Sequence, residues 1–223
     1  MPIIEDEALV LDHSPFGDRH LVLTVLTHRF GVQRGVLRGA RSGKAPTAAA
    51  AQIMSRVHVS LFQKPEAELA TYRHLDLVTS SFPLTRELDR SAAAAVVAEL
   101  LATYCPPAEP SERAFRLGIS CLEALLEEAP ADTVVAYTEF WVLALGGVLP
   151  QGKTIAETLG REDAGLLASF RNKAVNEVPT SVSPSVSRWL DEQVRNEAER
   201  PLRALSFYRQ TASPGGTNGG SSR

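Results

Sequence analysis

Residues 16–41 read FGDRHLVLTVLTHRFGVQRGVLRGAR, and this stretch decides the fold of the first part of the chain. Residues 20–27 consist mainly of Leu, Val and Thr, a composition that favours a strand. Residues 28–31 supply a turn that ends at Gly31, and residues 32–37 alternate with Arg34 on one face. The pattern therefore predicts two consecutive strands joined by a short turn.

The flanking sequence extends this pattern over the first eighty residues. Residues 14–18 (SPFGD) predict a turn, and further strands are predicted at residues 7–11, 57–62 and 68–78. Five or so short strands at a spacing of about 8–12 residues, separated by Gly and Pro turns, are typical of a small barrel or sandwich. We expect a β domain over residues 1–80.

After Phe82 and Pro83 the pattern changes from strands to helices. Ala, Leu and Glu dominate, and apolar residues recur at spacings of three and four. Ser111 precedes one of these segments as an N-cap. The predicted helices cover residues 86–104, 111–128, 132–145, 163–176 and 185–199. We therefore predict an α+β chain of two domains. The second domain is all-helical over residues 81–210, and the Gly- and Ser-rich residues 211–223 form a disordered tail.

The basic residues of the β domain are concentrated in one stretch. From Arg19 to Lys64 there are eight Lys or Arg residues and no Asp or Glu, although the chain has a formal net charge of −3. A surface of one charge sign indicates a polyanion partner, because each neutralised phosphate releases counterions. The alternative is a charged strand edge that resists aggregation. The candidate residues for contacts to a polyanion are Arg19, Arg34, Arg38, Arg41, Lys44 and Arg56.

The segment 35–45 (GVLRGARSGKA) carries three of these candidates at every third position. Its glycines and serine predict a flexible strand-to-strand loop that contacts phosphates without reading bases. A flexible linker with solubilising charge is the alternative. The aromatic residues of the β domain, Phe16, Phe30, Phe62 and Tyr72, are few, and we expect core positions for them rather than base stacking.

No catalytic, metal or cofactor site is predicted. Residues 147–154 (GVLPQGKT) match the phosphate-binding pattern G-x-x-x-x-G-K-[ST], but residues 140–145 continue a helix more naturally than a strand. A P-loop NTPase is therefore the less favoured alternative, and we expect a protein that is not an enzyme. The five His residues form no close cluster, and Cys105 and Cys121 lack metal-ligand spacing. Two cysteines and no long apolar segment predict a cytoplasmic location.

Several of these segments together resemble bacterial RecO, a family of recombination mediators. The similarity at the N-terminus comprises Phe16-Gly17-Asp18, Leu23, Leu26, Thr27, Gly31 and Arg38-Gly39-Ala40-Arg41. Residues 200–207 (RPLRALSF) are similar to the family's closing motif. The resemblance implies an N-terminal OB-fold followed by a helical domain, which agrees with the strand and helix pattern.

The resemblance also implies partners. It predicts binding to single- and double-stranded DNA, annealing of complementary strands, and help to RecA in replacing the single-strand-binding protein SSB, together with RecR and sometimes RecF. The family has no known catalytic cofactor. Many members carry a four-cysteine zinc module in the helical part, but no Cys or His follows Gly147 here, and we predict no zinc.

One further hypothesis concerns the helical domain. Apolar grooves between its helices are expected to accept the acidic and apolar C-terminal tail of SSB, with Arg113, Arg116 or Arg203 at the rim. An alternative function for the chain is a helical adaptor that recruits proteins without contacting DNA.

Overall fold

The computed structural model describes residues 3–41, 45–63, 67–178 and 181–212. Within these residues the chain forms a closed β-barrel followed by a helical region. The α+β fold with two domains is therefore confirmed.

The barrel has the topology of an OB-fold. Its strands follow the order β1-β2-β3-β5-β4; β1 pairs antiparallel with β4, and β3 pairs parallel with β5. Alternate residues of the strands, such as Leu23, Val25 and Leu61, fill the interior. The strands are β1 (Ile3–Phe16), β2 (His20–Thr27), β3 (Gly31–Leu37), β4 (Arg56–Phe62) and β5 (Ala70–Thr79).

Two local predictions for the barrel are wrong. Strand β1 runs through Phe16, because Ser14 and Phe16 pair with Val22 and His20 of β2, so the turn is confined to residues 17–19. The loop predicted over residues 35–45 overlaps β3, which ends at Leu37, and helix α1 (Ala45–Ala50) begins at its last residue. Residues 48–51 are all Ala, a strong helix former, and Ala50 and Ala51 are buried against the barrel core.

The helical region is built around α2, a helix whose Ala and Val residues are buried on several faces against α3, α4 and α8. The hydroxyl of Ser111 accepts a hydrogen bond from the N–H of Ala114 at 3.3 Å, which confirms the predicted N-cap. The helices are α2 (Leu88–Tyr104), α3 (Glu112–Leu126), α4 (Ala131–Leu145), α5 (Gly152–Leu159), α6 (Arg161–Ser169), α7 (Pro184–Glu197) and α8 (Arg203–Ala212).

The predicted helices omit α5 and α8, and the predicted end of α6 is wrong. Helix α6 ends at Ser169 instead of near residue 176, because Phe170 turns into the core, where it is fully buried. Helix α8 continues to Ala212, two residues into the predicted tail, and residues 213–223 lie outside the described residues.

The barrel packs on the helices through side chains that are buried in the core of the helical domain. Leu9 and Leu26 of the barrel belong to the same buried cluster as the helical side chains. Gly118 of α3 permits close packing here, since a Cβ at this position would lie 2.7 Å from Cδ2 of Leu9. The N–H of Ala108 also donates to the carbonyl of Val32 at 3.0 Å. The two domains are therefore held in a fixed relative position.

The last helix is held by Glu99 of α2. Its carboxylate accepts hydrogen bonds at 2.7–3.1 Å from the backbone N–H groups of Arg203, Ala204 and Leu205. These N–H groups lie in the first turn of α8 and have no acceptor within the helix. Leu205 and Tyr208 are then buried against the core. The closing motif 200–207 thus has a structural role in docking α8.

The predicted context of an NTPase loop is absent from the described residues. Residues 140–145 lie in α4, so a helix and not a strand precedes the GVLPQGKT segment, and the sheet is a barrel. Lys153 is exposed on α5 and lies 3.9 Å from Glu157. The segment therefore lacks the preceding strand of a parallel sheet that a phosphate-binding loop of this kind follows. No helix in the described part of the chain is long and apolar enough to cross a membrane.

Candidate nucleic-acid interface

Two turns meet at one end of the barrel. The N–H of Arg41 donates to the carbonyl of Arg19 at 3.1 Å, and Nη1 of Arg41 donates to the carbonyl of Gly17 at 3.1 Å. The N–H of Gly39 donates to Nδ1 of His20 at 3.0 Å. Gly39 has a φ of 71°, a conformation that favours glycine. We call this surface, residues 16–20 and 38–41, the barrel tip.

The barrel tip is positively charged. Arg19, Arg38 and Arg41 are exposed, and none of them forms an ion pair with another described residue. Asp18 is the single acid of this surface. The structure thus brings together three of the six predicted DNA-binding residues, whereas Lys44 lies outside the described residues.

One further cation, Arg73, adjoins the tip and is not among the residues that the sequence predicts. Leu37 of β3 pairs in parallel register with Tyr72 of β5, and both side chains point into the barrel. The next residues, Arg38 and Arg73, are both exposed, and each directly follows a residue of this pair. Only the parallel pairing of β3 with β5, which local sequence does not reveal, identifies Arg73.

Arg34 is exposed but lies away from the tip. It is opposite Thr24 on the outer face of β3, in a groove of about 730 Å³ between the barrel and the helices. Arg200 and Arg203 line the same groove. Arg203, predicted to lie at a helical partner groove together with Arg113, is therefore a neighbour of Arg34 instead.

Arg56 lies in a different environment from the other candidates. Its side chain is only 29% exposed, and its Nη2 donates to Oε2 of Glu7 at 2.8 Å. Its Nη1 lies 4.0 Å from Oε1 of Glu123 on α3. The charge of Arg56 is therefore largely neutralised by two acids, and its side chain bridges the barrel and α3.

The side of the barrel formed by β1, β4 and β5 is acidic. A groove of about 650 Å³ is lined by Glu5, Asp6, Glu7 and Asp76. Asp6 accepts hydrogen bonds from the backbone and the guanidinium of Arg29 at 2.7 and 3.1 Å. Because these acids would repel phosphates, the charge distribution favours the tip over this side as a polyanion site.

The helical domain has a separate groove of about 420 Å³. Its floor is aromatic and fixed: Nε1 of Trp141 donates to the carbonyl of Phe170 at 3.2 Å, and the hydroxyl of Tyr137 donates to the carbonyl of Lys173 at 3.1 Å. Arg113 and Arg116, both exposed residues of α3, line this groove, and their role in binding a partner stays a prediction.

Buried ionisable groups lie in the helical core, away from these surfaces. Glu139 of α4 is fully buried, and Arg209 lies 3.4 Å from it and 2.9 Å from Asp191. Burial raises the pKa of Glu139 well above its ordinary value, and the negative charge of Asp191 raises it further. Burial also raises the pKa of Cys105 to about 11 and that of Cys121 to about 12. Both thiols therefore stay protonated at neutral pH.

The fold and the basic tip define a class of two-domain protein in which an OB-type barrel packs on a helical domain. The basic tip lies at one end of the barrel. Sequence models of Recombination protein O match it in both parts: the N-terminal model covers residues 1–81 and the C-terminal model covers residues 85–205. The chain therefore belongs to the RecO family.

Curated relatives agree with this assignment. The chain is 28% identical to the DNA repair protein RecO of Koribacter versatilis over 148 residues. These residues are 66% of this chain and 59% of that relative. It is 32% identical over 157 residues to the RecO of a Roseiflexus species, 67% of this chain and 52% of the relative. With the RecO of Dehalococcoides mccartyi the identity is 25% over 202 residues, 83% and 77% of the two chains. The first two matches thus span little more than half the length of the relatives.

Proposed function

We propose that this chain is a DNA-binding recombination mediator that takes part in DNA repair. The observation that carries the proposal is the cluster of Arg19, Arg38 and Arg41 on one end of an OB-type barrel. The loop between the first two strands of such barrels is a common site of nucleic-acid contact. Arg19 lies on this loop, and Arg38 and Arg41 lie on the turn after β3 that is hydrogen-bonded to it. Membership in the RecO family supports the same role.

The proposed mechanism is electrostatic and involves no covalent step. Arginines on the tip neutralise phosphates of two strands that approach each other, which lowers the repulsion between them and allows base pairing. Binding through phosphates predicts a strong dependence on salt and little dependence on sequence. In the same proposal the protein helps RecA to replace SSB on single-stranded DNA and acts with RecR, and in some settings with RecF.

The groove around Trp141 is the proposed site for the C-terminal tail of SSB. An apolar side chain of the tail would pack on the aromatic floor, and its acids would lie near Arg113 and Arg116. Arg203 is not part of this proposal, because it lines the other groove, beside Arg34. This site would allow the helical domain to recruit SSB-coated DNA while the barrel tip contacts the strand itself.

The annealing role is tested by mixing two complementary oligonucleotides, one of them labelled, with the protein. Wild type is expected to accelerate annealing, and the variant Arg19→Glu/Arg38→Glu/Arg41→Glu is expected to lose the acceleration. Arg161→Glu/Arg188→Glu is the control for charge reversal away from the tip, since both residues are exposed on the helical domain. Equal acceleration by the tip variant and wild type would contradict the proposal. Absence of DNA binding by wild type, even at low salt, would instead favour a protein-recruiting adaptor.

A further inference from the structure

We propose that Phe16 is a stacking platform for unpaired bases, and that it makes the barrel tip prefer single-stranded over double-stranded DNA. This inference rests on the proposed function, because it takes the barrel tip to be the nucleic-acid site. Phe16 was expected in the core from the sequence, and the structure corrects that expectation: the residue is 48% exposed.

The exposure of Phe16 distinguishes it from the other aromatic residues of the β domain. Phe30 and Phe62 are partly buried, and Tyr72 fills the barrel interior with 3% of its surface exposed. Residues 12–19 are all exposed, because the hairpin of β1 and β2 projects beyond the barrel core. The ring of Phe16 is therefore presented to solvent by the hairpin and is not needed to fill the core.

The position of Phe16 places its ring among the cations of the tip. Phe16 pairs directly with His20 across the two strands, so the two side chains project from the same face. The imidazole of His20 is held by the hydrogen bond from Gly39, and the turn of Gly39 begins at Arg38. The guanidinium of Arg41 donates a hydrogen bond to the carbonyl of Gly17, the residue that follows Phe16. An aromatic ring thus lies next to groups that bind phosphate.

This combination has a definite ligand chemistry. Arginines bind the phosphates of single strands and of duplexes, and the higher charge density of a duplex gives them no preference for single strands. An exposed aromatic ring stacks on any base that is free of its own stack, whereas the base faces of a duplex are covered by their neighbours. The ring of Phe16 therefore supplies the preference for single strands, without a preference for sequence.

The test is a set of variants at Phe16 measured against three labelled ligands of equal length at one salt concentration. The ligands are an oligo(dT) single strand, an abasic single strand and a duplex. Phe16→Ala and Phe16→Leu are expected to weaken oligo(dT) binding by about tenfold and to leave the other two ligands unchanged. Phe16→Trp is expected to bind oligo(dT) as wild type does. Phe16→Leu keeps an apolar side chain, so it separates loss of stacking from loss of packing.

The outcomes separate this inference from the proposed function. If Phe16→Leu binds oligo(dT) as tightly as wild type, or if all three ligands weaken equally, stacking by Phe16 is wrong. The triple variant Arg19→Glu/Arg38→Glu/Arg41→Glu is measured in parallel. If it loses all three ligands while the Phe16 variants bind normally, the tip remains the DNA site and only the stacking role is overturned. If it binds all three ligands normally, the tip is not the site and both proposals are wrong.

Discussion

The N–H of Arg41 donates a hydrogen bond to the carbonyl of Arg19 at 3.1 Å. This bond joins the turn between β1 and β2 to the turn that follows β3, and it brings together arginines that are separated by two strands in the sequence. The positive surface of the barrel is therefore a property of the fold and depends on the two turns remaining in contact.

The first prediction separates Arg56 from the DNA site. Arg56→Ala is expected to lower the free energy of unfolding by about 1–2 kcal/mol, because it removes a charged hydrogen bond to the half-buried Glu7. Its affinity for DNA should stay that of wild type. Arg73→Ala is the matched variant: it leaves stability unchanged, since Arg73 is exposed, and weakens DNA binding. Urea unfolding measures the stability of both variants, and DNA titration measures their affinity. Weaker DNA binding by Arg56→Ala, together with normal binding by Arg73→Ala, would place Arg56 and not Arg73 in the DNA site.

The second prediction concerns the groove of the helical domain. Trp141→Ala is expected to weaken binding of an acidic peptide with an apolar C-terminal residue by about tenfold or more, because aromatic residues in interface pockets contribute a large share of affinity. Arg116→Glu should have a similar effect without disturbing the floor of the groove. Both variants should bind DNA normally. Calorimetric titration measures the affinity, and peptide binding that is indifferent to both substitutions would place the partner elsewhere.

The third prediction is a pH dependence of stability that arises from Glu139. Burial and the negative charge of Asp191 raise the pKa of Glu139 in the folded protein. The unfolded chain releases the proton of this carboxyl above about pH 4.3, whereas the folded protein retains it to higher pH. The stabilising contribution of the protonated group is therefore complete at low pH and is lost as the pH rises towards the folded pKa. Arg195 of α7 and Arg209 of α8 face the same carboxyl and lower its pKa, which limits the shift.

The variant Glu139→Gln removes this titration while keeping a side chain of the same shape. Its free energy of unfolding is expected to fall less than that of wild type between pH 5 and pH 8. Other titrating groups contribute to both proteins and cancel in the difference. Urea unfolding at the two pH values provides the measurement. Parallel curves for wild type and variant would show that Glu139 is ionised in the folded state throughout.

The local order of strands and helices was predictable because it depends on nearby residues. The apolar run of residues 20–27 became β2 with the predicted boundaries, and the hydroxyl of Ser111 caps α3. The predicted turn at residues 14–18 begins too early, because the pairing of Phe16 with His20 extends β1 to Phe16. That pairing depends on the register of two strands, which composition alone does not fix.

The candidate site was predictable only in part, for the same reason. The run of cations from Arg19 to Arg41 indicates a basic surface. Acids that are far away in the sequence decide which of the predicted cations are neutralised. Glu7 neutralises Arg56, and the parallel pairing of β3 with β5 adds Arg73. The separation of Arg203 from Arg113 follows from the docking of α8 on Glu99. Contacts of this kind depend on tertiary packing and leave no local pattern.

The central claim, that the barrel tip binds phosphates, is tested most directly by the salt dependence of single-stranded DNA binding. The affinity of wild type and of Arg19→Ala/Arg38→Ala/Arg41→Ala is measured at several salt concentrations, with Arg161→Ala/Arg188→Ala as the control. The plot of log affinity against log salt should have a slope that is smaller in magnitude by about 2 in the tip variant, because three phosphate contacts are lost. The control should follow wild type. An unchanged slope in the tip variant would contradict the account.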